Sequence, residues 1–248
     1  MVTVSSSKAE QVVQALLEKV IRENLKPGHS LGTEADLLAT YNVSRPTLRE
    51  SLRILESQGV IEMRPGPGGG ILVRHPSVDV LAHGLSVFLR LHDVPFISLL
   101  QAREVVEPAL AREAAVKGSE ADFAEMESSI NRMRAIKDDQ PAFIEENRVF
   151  HGIVARASGN KVLETFWSTI SLLADGEHHG MRYSFGNQKH VVEAHERILD
   201  ACRKRDGEAA AAQMEAHVEA LEHLVRNRYK HLLDQPTSVL AREGRRIV

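Results

Sequence analysis

Cysteine is almost absent from this chain. Cys202 stands alone among 248 residues, so no disulfide can form within it. Such a composition suits a reducing compartment, and a cytoplasmic location is expected. No apolar run approaches the roughly 20 residues that a membrane-spanning helix needs, so no membrane partner is expected. The opening MVTVSSSKAE has no basic segment followed by an apolar stretch, so no secretory signal is expected either. No fixed-period repeat occurs. Positive charge is not in excess: the net charge is −3. Residues 1–76 carry nine Lys/Arg against eight Asp/Glu, so the first third is barely basic and the remainder is acidic. Bulk charge therefore announces no nucleic-acid partner, and any such contact must come from the placement of individual cations. What the chain does have is 43% apolar residues, enough to bury a sizeable core in one large domain or two smaller ones.

The first third is rich in local signals. Val12, Val13, Leu16, Leu17, Val20 and Ile21 recur at helical spacing, which predicts a helix from about Lys8 to Leu25 that stops at KPGHS. Thr33, with Asp36 three residues on, predicts the capped start of a short helix to about Thr40. After the tight link YNVS, Ser44 caps a third helix with Pro46 in its first turn, and Val43 can staple onto Leu48. That helix ends at Gly59. VIEMR and GILVR around PGPGG then predict two strands and a loop.

Three helices followed by a two-stranded loop form the pattern of a winged helix-turn-helix, whose third helix enters the major groove. Leu48, Leu52 and Leu55 make that helix's inward stripe, and Arg45, Arg49 and Arg53 follow at i, i+4, i+8 on another. Arginine can fork onto guanine or clamp phosphate, and the Ser44 and Thr47 hydroxyls suit phosphate. The rival reading is a solvated face paired with Glu50 and Glu56. The order helix, helix, capped helix, glycine, strand, glycine-rich loop, strand favours DNA, with Arg64 supplying charge at the base of the loop. The stretch LGTEADLLATYNVSRPTLRESLRILESQGVIEMRPGPGGGILV resembles the DNA-binding domain of GntR-family transcription regulators over about residues 10–74. The resemblance implies DNA contacts from Arg45, Thr47 and Arg49 and wing contacts near Gly69. The candidate DNA-contacting set is thus Thr33, Ser44, Arg45, Thr47, Arg49, Arg53, Arg64 and Gly69. Ala35 departs from the family's frequent arginine at that place, which puts one family contact in doubt.

Beyond a boundary near His75–Asp79 only helical patterns appear, from about Val78 to Leu233. Breaks at Asp93-Val94-Pro95, Lys117-Gly118, Asp138-Asp139, Ser158-Gly159, Tyr183–Gln188 and Asp206-Gly207 predict six or seven helices in an antiparallel bundle. The expected fold is mainly α: a winged helix-turn-helix domain over 1–76, an all-α domain over 77–233, and a polar, frayed tail over 234–248.

Of the 12 histidines, His29, His75, His83 and His92 lie near turns or linkers and are read as incidental. Asn147 and His151, four apart, share a helix face. His195 lies 11 residues before Asp206 and His217 lies 11 after it, so a hairpin turning there sets them level, each about 16 Å from the turn. Together they offer three imidazoles and one amide oxygen, a set suited to zinc, nickel, copper, iron or cobalt, with manganese admitted by the mixed N/O donors. The alternative is three separate histidines, each satisfied by a hydrogen bond. AREVVEPALAREAA, NRVFHGIVARASGN and EAHERILDACRKRDGEAAAAQMEAHVEAL resemble the FCD ligand domain of the FadR-like subfamily. That resemblance implies a divalent metal on His151, His195 and His217, zinc first and nickel, manganese or iron as alternatives. It places Asn147 where aspartate is usual, which removes one negative charge. It also implies that Arg103 pairs with an effector carboxylate; the competing role for Arg103 is a helix-surface salt bridge with Glu107.

The expected function is a metabolite-responsive DNA-binding regulator, a repressor acting as a homodimer on an imperfect palindrome of double-stranded DNA. A small carboxylate would be its effector and the 75–79 linker its hinge. One rival is a regulator whose helical domain only dimerises. The other is a metal-dependent hydrolase, which suffers from the lack of a carboxylate well placed beside His151 on its own helix.

Overall fold

The computed structural model describes residues 6–66, 69–136, 139–174 and 185–237. Contacts divide the chain into two compact units, Met1–Val80 and Leu81–Val248.

In the first unit, α1 (Lys8–Arg22) opens on a capping box. The Ser7 hydroxyl accepts from the Glu10 amide, and the Glu10 carboxylate accepts from the Ser7 amide. Thr33 and Asp36 cap α2 (Glu34–Tyr41) in the same way. Asn42, at φ 49°, then turns the chain through the left-handed region, which asparagine tolerates better than most residues. Ser44 caps α3 (Arg45–Ser57) by accepting from the Thr47 amide, with Pro46 in the first turn. Leu48, Leu52 and Leu55 are fully buried and meet Val12, Leu16 and Val20 of α1, with Val43 packed against the same cluster. The buried Ser51 hydroxyl lies 3.0 Å from the Ala9 carbonyl and ties α3 to the start of α1. After Gly59, β1 (Ile61–Arg64) pairs antiparallel with β2 (Gly70–Val73), Ile61 opposite Val73 and Arg64 opposite Gly70. At Gly69 a Cβ would come 2.2 Å from the Arg64 carbonyl oxygen, so the turn of the wing has no room for a side chain there. The unit is a winged helix-turn-helix.

From Val78 the described chain is helical: α4 (Val78–Leu91), α5 (Ile97–Lys117), α6 (Glu120–Ala135), α7 (Gln140–Ala157), α8 (Lys161–Leu173), α9 (Phe185–Arg203) and α10 (Gly207–Arg228). These are seven helices among the described residues, and none is long and apolar enough to cross a membrane. In the second unit α5 is the central element, packed against α7, α8, α9 and most extensively α10. It is buried on several sides, which is why its sequence shows no single apolar stripe. The main core gathers Leu110, Phe123, Met126, Phe143, Phe150, Trp167, Ile198 and Met214. Asp206 caps α10 by accepting from the Ala209 amide. Arg205 lies over the Phe123 ring, 4.6 Å from its centroid, and donates to the Gly118 carbonyl, so the α9–α10 turn is fastened to the α5–α6 junction.

Two expectations need correction. α9 starts at Phe185, inside the break expected over Tyr183–Gln188; Tyr183 and Ser184 lie outside the described residues. Gln188 and Val192 are buried, so the packing of the first two turns outweighs the weak helix propensity of Gly186 and Asn187. Nor is the tail frayed from Asp234. The Phe96 amide donates to Gln235, the Thr237 amide donates to Val94, and Thr237 is buried. Residues 238–248 lie outside the described residues, as does Asp138 of the expected Asp138-Asp139 break, while Asp139 caps α7.

The two sides of α3 predict opposite outcomes for adjacent substitutions. Leu52→Ala opens a cavity in the first unit and should cost about 2–5 kcal/mol in urea denaturation. Arg53→Ala, on the exposed side, should stay within about 0.5 kcal/mol of the parent protein.

Candidate functional site

Three helices of the second unit deliver His151, His195 and His217 to one place. On α7, Phe150, Ile153 and Val154 pack into the core and carry the His151 ring inside with them. The α9–α10 hairpin sets His195 and His217 level, with their Nε2 atoms 3.2 Å apart. His151 Nε2 lies 3.1 Å from His217 Nε2. One nitrogen from each of the three rings falls within 4.8 Å of the others. Phe150 stacks on His195 with centroids 3.8 Å apart and planes 9° from parallel, which fixes that ring.

His151 is held from behind by a residue that the sequence patterns did not single out as part of the cluster. Glu107 of α5 accepts from His151 Nδ1 with one carboxylate oxygen and from Arg103 Nε with the other. The Glu107 side chain is 2% exposed and that of Arg103 11%. Burial alone would raise the Glu107 carboxyl, but Arg103 and His151 hold it well below the ordinary carboxylate range. An ionised carboxylate only accepts, so His151 Nδ1 carries a proton, and in the neutral ring Nε2 turns a lone pair toward the other rings. Burial, reinforced by its histidine neighbours, drives His195 well below the usual histidine value. Burial and then His151 push His217 down to about 3. Neutral imidazole is the metal-binding form, and a carboxylate behind a ligating histidine is its usual support. Nitrogens 2.0–2.1 Å from a tetrahedral zinc stand about 3.3 Å from one another, close to the 3.1 and 3.2 Å that separate His217 Nε2 from the His151 and His195 Nε2 atoms. His151, His195 and His217 therefore fit a divalent first-row metal and are the residues that could hold one.

Asn147, one turn before His151 on α7, lines a cleft of about 350 Å³ together with His217 and Arg103. The cleft continues between α9 and α10 past Asn187, His190, His223 and Asn227, none of which the sequence reading selected. Their signal was present but weak: His217, Leu224 and Asn227 recur along one side of α10.

On the first unit, Arg45, Arg49 and Arg53 line a shallow surface groove along α3 and all three are exposed. Arg49 Nε donates to the Glu34 carboxylate of α2 over 3.2 Å, and the Glu56 carboxylate accepts from the Met63 amide. The expected alternative, a face paired with Glu50 and Glu56, is therefore not what forms. The Ser44 and Thr47 hydroxyls are 2.8 Å apart at the start of α3. Thr33 donates to Asp36 within the α2 cap, Arg64 pairs with Glu62 on β1, and Gly69 sits in the wing.

Residues 8–72 match the gntR family of bacterial regulatory proteins, and residues 98–220 match the FCD domain. The galactonate operon transcriptional repressor of Escherichia coli (strain K12) is 32% identical over 211 residues, spanning 82% of this chain and 90% of that protein. The chain belongs to the GntR family of transcription regulators. It falls in the FadR-like subfamily that carries an FCD domain. HTH-type transcriptional regulator LutR of Bacillus subtilis (strain 168) is 29% identical over 206 residues, covering 81% of this chain and 93% of that one. The solved Streptococcus agalactiae GntR structure superposes with a TM-score of 0.71 at 23% identity, covering 87% of this chain and 99% of that one, and agrees in fold.

As a GntR regulator the protein binds operator DNA, and its relatives are regulators rather than enzymes. This sets aside the hydrolase. A carboxylate does neighbour His151, but it comes from α5, 44 residues away, and lies behind the ring in the grip of Arg103. The Arg103–Glu107 pair expected on the helix surface forms too, but inside the protein.

The buried histidines make stability depend on pH. A histidine whose folded value is depressed stays neutral where the unfolded chain takes up a proton. Stability is then complete above the ordinary value of about 6.5 and is lost as pH falls toward the folded value, about 3 for His217. Chelator-treated protein should lose about 1.4 kcal/mol per pH unit for each such histidine between pH 6.5 and 5. Glu104 offsets this in part: burial and then Glu222 raise its carboxyl to about 7, so it takes up its proton in the folded state over the same interval. The net loss for the pair of histidines is then about 1.4 kcal/mol per pH unit. Urea denaturation across that interval checks this, and a flat profile would contradict burial of the two neutral rings.

Proposed function

We propose that this GntR regulator is a repressor whose operator affinity is set by a small organic acid bound in the second unit. Residues 1–76 read DNA, residues 77–233 bind effector and metal and dimerise, and residues 234–248 form a C-terminal tail. The observation that carries this reading is the convergence, at one end of a ligand-sized cleft, of Arg103, Asn147 and His217, the last belonging to the three-histidine cluster. An arginine suits a carboxylate. A divalent ion on His151, His195 and His217, with the Asn147 amide oxygen as a further donor, would supply positive charge for an anionic ligand. Zinc is the first choice for that ion, with nickel, manganese or iron as alternatives. The E. coli relative is a repressor of a galactonate operon, which agrees with both the sign of regulation and an acidic signal.

The DNA-contacting residues are Ser44, Arg45, Thr47, Arg49 and Arg53 from α3, Arg64 and Gly69 from the wing, and Thr33 at the start of α2. Dimerisation is supported by Val105 on α5 and by Val162 and Phe166 on α8, large apolar side chains left 77%, 63% and 58% exposed on the second unit. Two wings on one dimer would read the two halves of an imperfect palindrome. The effector must bind one arrangement of the dimer better than the other, and every 1.4 kcal/mol of that difference is about tenfold in operator affinity.

Protein purified without a histidine tag should carry one metal per chain, and His151→Ala and His195→Ala should each lose it. Metal-free protein whose stability is unchanged in both variants would remove the metal from the reading. On a duplex selected from random sequence by the parent protein, Arg49→Ala should weaken binding by about 1–3 kcal/mol. A footprint unchanged by Arg45→Ala and Arg49→Ala together would refute the role given to α3.

A further inference from the structure

We propose that Glu104 of α5 and Glu222 of α10 share one proton across the seam between these helices, and that loss of this proton loosens the seam beside the cleft. The pair makes the second unit respond to pH around neutrality, a property that goes beyond the acid-sensing reading and stands without it. α5 packs more extensively on α10 than on any other helix. Glu219, Glu222 and Arg226 recur at i, i+3, i+7 of α10, and all three act on Glu104. The Glu104 carboxyl is in hydrogen-bonding contact with that of Glu222. Its Oε1 is buried, and among the described residues no N–H or hydroxyl donor reaches it.

Two carboxylates in contact repel, and one proton between them turns that repulsion into a hydrogen bond. The neighbours decide which member keeps the charge. Arg226 Nε donates to Glu222 over 2.8 Å, and the Gln101 amide donates to it as well. Glu222 therefore stays ionised, and Glu104 carries the proton and donates it. Burial, then the hydrogen bond and charge of Glu222, then Glu219 raise the Glu104 carboxyl to about 7, with Arg226 opposing them. On Glu222 the hydrogen bond from Glu104, followed by those from Arg226 and Gln101, outweighs burial and holds the carboxyl below its ordinary value. Among the described residues no charged side chain of α7, α8 or α9 acts on Glu104 as strongly as these. On α5 itself the nearest charged groups, Arg103 and Glu107, are paired with each other.

When the proton leaves for water, Glu104 and Glu222 face each other as two anions, with Glu219 close by and Arg226 the cation between. The strain falls beside the cleft. Arg103 precedes Glu104 in the chain, Leu221 and His223 flank Glu222, and all three line the cleft. Opening the seam returns Glu104 to water and to its ordinary value of 4.5. The closed seam thus binds the proton more tightly than the open one. Opening becomes easier as pH rises from about 4.5 to about 7 and levels off above that. This direction is opposite to that of His195 and His217, which cost stability as pH falls.

The test is amide hydrogen exchange along α5 and α10 of the full-length protein as purified, corrected for the intrinsic rate, with Glu104→Gln as the reference. Glutamine keeps a donor toward Glu222 at every pH and never ionises. Seam opening in the parent, relative to Glu104→Gln, should rise about tenfold from pH 5.5 to 7 and stay level above about 7.5. Titration of the side-chain carboxyl carbons in glutamate-labelled protein follows the proton itself by nuclear magnetic resonance. The signal that Glu104→Gln removes should titrate with a midpoint near 7 in the parent and lower in Glu222→Gln. A midpoint at the ordinary 4.5 in the parent overturns the shared proton. An opening ratio that stays constant across the whole pH range overturns the loosening of the seam, even where the proton is shared.

Discussion

A carboxylate buried between a guanidinium and an imidazole is the constraint on which the second unit is built. An ionised Glu107 is tolerable in the interior only because both of its oxygens are satisfied, one by Arg103 a turn earlier on α5 and one by His151 on α7. That requirement fixes how α5 is rotated against α7. α10 packs along α5, so the same rotation sets where His217 faces. The proton on His151 Nδ1 follows from the same pair, and it leaves Nε2 as the nitrogen that faces the cluster. Phe150 acts on the other side by stacking on His195, so two of the three rings are positioned by neighbours and not by one another.

Legibility followed the range of the interactions. In the first unit the caps join residues three apart, Ser7 with Glu10, Thr33 with Asp36 and Ser44 with Thr47, and each can be read in a short window. The His195–His217 pairing could be read as well, because a hairpin turning at Asp206 converts equal sequence distance into equal height. Glu107 was visible only as a partner for Arg103. Its contact with His151 joins residues 44 apart on helices whose packing no local pattern dictates. α5 hides its role further, since a helix covered on several sides shows no stripe to orient it. The segment Asp234–Thr237 differs from expectation for the same reason: its polar composition signals a free end, but the backbone pairs with Val94 and Phe96, far away in the chain.

On the first unit the candidate DNA-contacting side chains have interim partners that are easily exchanged. Arg49 rests on Glu34 and Arg64 on Glu62, both arginines more than half exposed. Exposed ion pairs of this kind contribute about 0–1 kcal/mol, so moving a guanidinium from carboxylate to phosphate or guanine meets little opposition. The carboxylates also keep the arginines extended along the surface in the meantime. With a net charge of −3 over the whole chain, attraction to DNA has to come from this local arrangement, and its strength should depend steeply on salt.

Arg103 links the buried frame to the proposed acid. Its Nε is committed to Glu107, and a guanidinium carries four further N–H donors on its two terminal nitrogens. A ligand carboxylate at those nitrogens places a second anion near Glu107, and two anions beside one guanidinium repel unless another positive charge is close. The neutral His195 and His217 rings provide none of their own. A divalent ion held by the cluster would supply that charge on the side where the cleft begins. Acid and metal should therefore strengthen each other's binding, and linkage requires the two effects to be equal. The neutral Asn147 amide would work in the same direction, because it would leave more of the ion's charge for the ligand than a carboxylate would.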